Sequence, residues 1–157
     1  MDPFLRSDKL RAWRLFLESY RGLVDALEHE LQGAKGLPLS FYDVLVQLHE
    51  APEQRLRMNE LASSVLLSRS GLTRLIDRME SAGLVERSLC SDDRRGSFAV
   101  LTDRGREAFR DAAPVHIAGV KRHFADHLTD AEARTLIKAL TKLAGERSAA
   151  AGDDRPA

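Results

Sequence analysis

Cysteine is almost absent. Cys90 stands alone among 157 residues, so no disulfide can close within the chain and no cysteine-based zinc site can be assembled. A reducing compartment fits that usage, and the cytoplasm is the expected location. Long apolar runs are missing too: nowhere do the roughly eighteen consecutive apolar residues of a spanning helix occur, and the start MDPFLRSDKL carries acids and lacks the apolar segment of an export signal. No membrane is expected as a partner. Charge of one sign is not in excess, with 24 Lys and Arg against 24 Asp and Glu, so any site for phosphate must rest on local placement. Catalytic signatures are lacking as well. There is no phosphate-binding glycine loop, no GxSxG elbow and no HExxH, and the acids scatter over faces that read as surface, so neither an enzyme nor a required cofactor is expected.

What the chain does have is helical periodicity. Apolar residues make up 43% and charged residues 31%, the balance of an ordinary globular protein with a core. From Ser7 to Gln32, Leu10, Trp13, Leu17, Tyr20, Val24, Leu27 and Leu31 recur in steps of three and four, which predicts one long helix stopped by Gly33, Gly36 and Pro38. Ser40 and Asp43 stand in capping-box-like spacing and predict a second helix that buries Val44, Leu45 and Leu48 and stops before Pro52. APEQRLR reads as a polar connector, and MNELASSVLL as a short third helix burying Leu61, Ala62 and Val65. Ser68 predicts the N-cap of a fourth helix, with Leu72, Leu75, Ile76 and Met79 on one face and Ser70, Thr73, Arg74, Asp77 and Arg78 on the other.

Leu84 to Cys90, the turn SDDRRGS and Phe98 to Leu101 then read as a hairpin. Thr102 caps a fifth helix carrying Phe109, Ala113, Ile117, Val120 and Phe124, bent at Pro114. Thr129 with Glu132 makes the capping box of a sixth, whose buried set is Leu136, Ile137, Leu140 and Leu143. The predicted order is four helices, two strands, two helices: mainly α with a small β-hairpin wing. That is a winged helix-turn-helix over 37–106, between a dimerisation helix at 1–36 and dimerisation helices at 107–147, with a flexible tail at 148–157.

The fourth helix and the hairpin together suit double-stranded DNA. The N-terminal turns of a helix in the major groove reach base edges, where arginines and short hydroxyls do the reading, and Ser68, Arg69, Ser70, Thr73 and Arg74 supply that set. Arg78, one turn on, is expected at a phosphate. Arg94 and Arg95 at the hairpin tip are placed to enter a minor groove, with Asp93 holding the turn and Gly96 allowing its tightness. The competing reading is a winged helix that binds protein without DNA, but such a wing would expose apolar residues at its tip.

The chain resembles the MarR family of bacterial transcription regulators. The match is most specific at DRRGSFAVLTDRGR, Asp93 to Arg106, and extends more weakly over MNELASSVLLSRSGLTRLIDRMESAGLVER, Met58 to Arg87. The resemblance implies a homodimer with interlocked terminal helices, two recognition helices set for a pseudo-palindromic operator, and a repressor released when a small aromatic or phenolic effector acts on it. It also implies a pocket between the dimerisation helices and the DNA-binding lobe, for which Trp13, Phe16, Tyr20, Tyr42 and Asp43, with Phe41, are the candidates; the same aromatics fit a core or dimer seam. A zinc- or oxidant-responsive regulator is the other alternative. His123 and His127 have i, i+4 spacing, with His116 along the same side, but no carboxylate other than Asp126 or Asp130 is placed to complete a site, so no metal is expected; Cys90 reads as a spectator on its strand.

Overall fold

The computed structural model describes residues 3–65, 67–89 and 97–152. After a short 3-10 turn at Pro3–Arg6, helix α1 spans Asp8–Lys35, opened by the Ser7 hydroxyl accepting the Leu10 N–H at 3.3 Å. Gly33 lies inside this helix. Termination belongs to Gly36, whose φ of 63° is a left-handed conformation that glycine adopts without a Cβ penalty.

Helix α2 spans Leu39–Glu50, and its start corrects the sequence reading. Ser40 is already inside the helix and no Ser40–Asp43 box forms; instead the Leu39 N–H donates to Glu28 Oε2 of α1 at 2.6 Å. A carboxylate there satisfies an otherwise orphaned donor and meets the positive end of the helix dipole. A second correction follows directly. APEQRLR is no mere connector: Arg55–Arg57 form strand β1, preceded by Glu53 and Gln54 at φ 54° and 53°. Two non-glycine residues in that region cost roughly 1–2 kcal/mol each. Both side chains are engaged, Glu53 with Arg55 at 2.6 Å and Gln54 Oε1 accepting from Arg106 at 2.6 Å.

Helix α3 (Met58–Ser64) and helix α4 (Arg69–Ser81) form the helix-turn-helix, followed by β2 (Val85–Leu89) and β3 (Ser97–Leu101). The sheet is antiparallel in the order β1-β3-β2, with Arg57 opposite Phe98 and Arg87 opposite Ala99. Helix α5 spans Asp103–His123 and runs through Pro114, and helix α6 spans Asp130–Gly152, so the expected tail is helical to residue 152. The element order is therefore α α β α α β β α α.

Two compact units divide between Gly119 and Val120. The first holds the core, in which Leu31, Val44, Leu45, Leu48, Leu61, Leu72, Ile76 and Met79 are fully buried. Such Leu side chains cost about 2–5 kcal/mol each when cut to alanine. Of the long seam on α1, only the part from Val24 to Leu31 packs against this core; Trp13, Phe16, Leu17 and Tyr20 are exposed. In α5 the buried residues are Gly105, Ala112 and Gly119, while Phe109 and Ala113 are partly buried, and Ile117 is 64% exposed. The second unit opens with the predicted capping box, Thr129 N–H donating to Glu132 Oε2 at 2.9 Å and Glu132 N–H to Thr129 Oγ1 at 3.3 Å. Those bonds hold the Glu132 carboxyl below its ordinary pKa. Contrary to the expected buried set, Ile137, Leu140 and Leu143 are exposed and Leu136 is only partly covered.

Candidate nucleic-acid interface

Helix α4 is the element that gives the site its shape. Ser68 Oγ accepts the Gly71 N–H at 3.1 Å and lies 3.3 Å from Ser70 Oγ, so the cap fixes the first turn and places two hydroxyls at its mouth. Leu72, Leu75, Ile76 and Met79 are buried beneath, which rotates Ser70, Thr73 and Arg74 outward as their spacing predicts. Arg74 is exposed and enters no ion pair among the described residues. The Arg69 backbone belongs to the helix, but its side chain lies outside what is described. Arg78 is outward too, yet its guanidinium lies over the Phe41 ring, 5.2 Å from the centroid, which anchors it to α2 by a cation–π contact.

The wing is held at its base. Thr102 Oγ1 donates to the Gly83 carbonyl at 2.7 Å and accepts the Gly105 N–H at 3.0 Å, tying the start of α5 to the turn after α4. Arg106 bonds Gln54, the Leu101 carbonyl and Asp103, joining α5 to the end of the sheet where β1 begins and β3 finishes. The candidates Asp93, Arg94, Arg95 and Gly96, and Cys90 with them, lie outside the described residues.

Two features escaped the sequence reading. Arg55 and Arg57 both stack on Phe98, at 5.0 and 5.3 Å, forming a basic strip on the outer face of the sheet; only the unforeseen strand β1 brings them there. Arg87, on the opposite face of β2, reaches α4. Its Nη1 donates to Glu80 Oε2 at 2.7 Å, and its Nη2 donates to Asp77 Oδ1 at 2.5 Å and to the Thr73 carbonyl at 3.3 Å. Asp77, expected on the free face, is thereby engaged. The signal was there in outline: two acids three residues apart on an otherwise basic helix call for a cation.

Within one chain the candidates for the effector pocket do not come together. Trp13, Phe16 and Tyr20 are exposed on the N-terminal half of α1, Trp13 and Phe16 stacking on each other at 6.3 Å. Tyr42 is buried between Phe109 and His116, with ring centroids at 5.8 and 4.3 Å. Burial raises the Tyr42 pKa, with Asp43 and Glu50 adding to it, and lowers that of His116, whose Nδ1 is buried without a hydrogen-bond partner among the described residues. Asp43 is pushed up by partial desolvation and then by Glu28. A cleft of about 370 Å³ opens elsewhere, walled by Leu37, Pro38, Phe41 and Leu84 and rimmed by Lys35, Arg104, Glu107 and Asp111. The histidine pair is also undone. Helix α5 ends at His123, and His127 sits in a separate 3-10 turn at Ala125–His127, so helical i, i+4 geometry is lost. No group of three or more His, Cys, Asp or Glu side chains suited to a metal occurs among the described residues.

Comparison with known proteins bears on this arrangement. The model of the MarR family matches residues 37–97, from just before α2 to the first residue of β3. The structure of AbsC, a MarR family transcriptional regulator from Streptomyces coelicolor, is 43% identical, covers 91% of this chain and 96% of its own, and superposes with a TM-score of 0.86. The chain belongs to the MarR family. Another MarR family regulator from the same organism, Sco3205, solved in complex with DNA, is 38% identical with a TM-score of 0.84, covering 88% of this chain and 87% of its own. Among curated relatives, the HTH-type transcriptional regulator YkoM of Bacillus subtilis is 29% identical over 140 residues, 88% of each chain. As a MarR family member the chain is a transcription regulator with a winged helix-turn-helix. These relatives are regulators rather than enzymes, and no helix among the described residues is long and apolar enough to cross a membrane.

Proposed function

We propose that this MarR family chain binds a pseudo-palindromic operator in double-stranded DNA as a homodimer and represses by occupying it. The observation that carries the reading is the division of α4: one face is buried, and the other has a capped first turn and turns Ser70, Thr73 and Arg74 outward, where a major groove would meet them. Sco3205, at 38% identity, was solved on DNA, which supports the same use of this lobe. Dimerisation is supported by the apolar surface left on α1, where Trp13, Phe16 and Tyr20 are 55%, 47% and 61% exposed. Two copies sharing one duplex multiply the affinity of a lobe whose chain carries no net charge.

Relief by a small aromatic or phenolic effector belongs to the proposal, as does work in the cytoplasm without a cofactor. The cleft is of a size for such a molecule, with Pro38 and Phe41 as flat walls and Lys35 and Arg104 as anchors for an acidic group. The test is selection of bound duplexes followed by gel-shift titration. A palindromic sequence should be enriched, and Arg74→Ala should weaken its binding by about 1–3 kcal/mol while leaving the fold intact. No enriched sequence, or unchanged affinity in the variant, would refute the reading. Light scattering at micromolar concentration should return the mass of two chains.

A further inference from the structure

A helix that enters a groove between phosphates should not carry bare carboxylates on its exposed side, yet α4 carries Asp77 and Glu80 just beyond Arg74. Both are claimed by one guanidinium. Arg87 lies on β2 opposite the fully buried Ala99, so its side chain leaves the inner face of the sheet toward α4. There it bridges Glu80 Oε2 and Asp77 Oδ1 and also donates to the Thr73 carbonyl, while its own backbone N–H donates to Glu80 Oε1 at 3.1 Å. Four contacts from one residue join the strand to three positions along two turns of the helix.

We propose that Arg87 is a positioning residue for DNA binding: it halves the negative charge on the exposed side of α4 and locks that helix to β2, so that recognition helix and wing meet the duplex as one body. This rests on the DNA-binding reading above. The chemistry requires arginine. A guanidinium is a planar fork whose separate nitrogens can serve two carboxylates and a carbonyl at once, whereas a lysine ammonium is a point charge that would satisfy one. The bridge is only partly covered, the Arg87 side chain being 29% exposed, so its worth to folding alone is small. Its larger effect is expected where phosphates approach. Two unbridged carboxylates then face like charge at short range in a space that is losing its water.

The test uses the full chain and a duplex of roughly 30 base pairs selected by the unaltered protein from a random library, enough for two half-sites about a turn apart. Arg87→Ala should lower affinity about tenfold, and Arg87→Lys by less. The combined variant Arg87→Ala, Asp77→Asn, Glu80→Gln should recover to within about threefold of the unaltered protein, because the charge that the arginine offset is gone. Thermal unfolding is followed for each. A folded Arg87→Ala variant with undiminished affinity would overturn the proposal. So would a combined variant that stays weak, since the guanidinium would then be acting on DNA itself. Should Arg87→Ala alone fail to fold, the combined variant decides on the same terms. Failure of the unaltered protein to enrich any duplex would instead overturn the regulator reading and this inference with it.

Discussion

Gly105→Ala tests most directly how α5 is seated on the sheet. Gly105 is buried in the first turn of α5, and a β-carbon there would stand 2.1 Å from the Leu84 carbonyl oxygen and 2.7 Å from Leu101 Cδ1. The leucine methyl can rotate away; the carbonyl cannot, because it is backbone and already accepts the Thr102 N–H at 3.2 Å. Relief would require α5 to lift by about 1 Å, a forced shift in a packed core of the kind that costs about 1–3 kcal/mol. Loosening the Thr102 bonds adds about 1 kcal/mol, and the better helix propensity of alanine returns about 1 kcal/mol. The net expectation is a loss of about 2 kcal/mol. Urea unfolding followed by helical circular dichroism, at one fixed protein concentration, should show the midpoint falling by about 1 M with an unchanged slope. Gly119→Ala is the control, because its β-carbon would meet only the tips of Leu27 and Glu30, at 2.8 and 2.9 Å, which can turn aside. That variant should stay within about 1 kcal/mol of the parent. A Gly105→Ala midpoint at or above the parent's would refute the reasoning.

Other outcomes follow from the same geometry. Ser68→Ala removes the cap of α4 and should cost about 1 kcal/mol of stability in the same assay, with a measurable loss of operator affinity. His116 has its pKa lowered below the ordinary 6.5 by burial, so the unfolded chain binds the proton first. Stability should therefore fall as the pH drops through the window below 6.5, and unfolding midpoints at about pH 7.5 and about pH 5 should lie closer together in His116→Phe than in the parent. Gly33, inside α1 with nothing near its missing β-carbon, should accept alanine with a gain of about 0.5–1 kcal/mol, read by thermal unfolding.

The sequence by itself determined those features whose partners lie within a turn of one another. Ser68 with Gly71, Thr129 with Glu132, and the buried stripe from Leu72 to Met79 were legible because a helix brings residues three and four apart together regardless of what surrounds it. The exposed set of Ser70, Thr73 and Arg74 was legible for the same reason. Tertiary structure decided the rest. Leu39 is capped by Glu28, eleven residues back on another helix, so the local Ser40–Asp43 spacing counted for nothing. Three residues of RLR became a strand only because β3 offered its edge. Arg87, fourteen residues from Thr73, met α4 through the hairpin, and Tyr42 left its expected pocket to stack on α5. In each of these the partner is set by how elements dock, and docking is settled by the burial of the whole core rather than by any stretch within it.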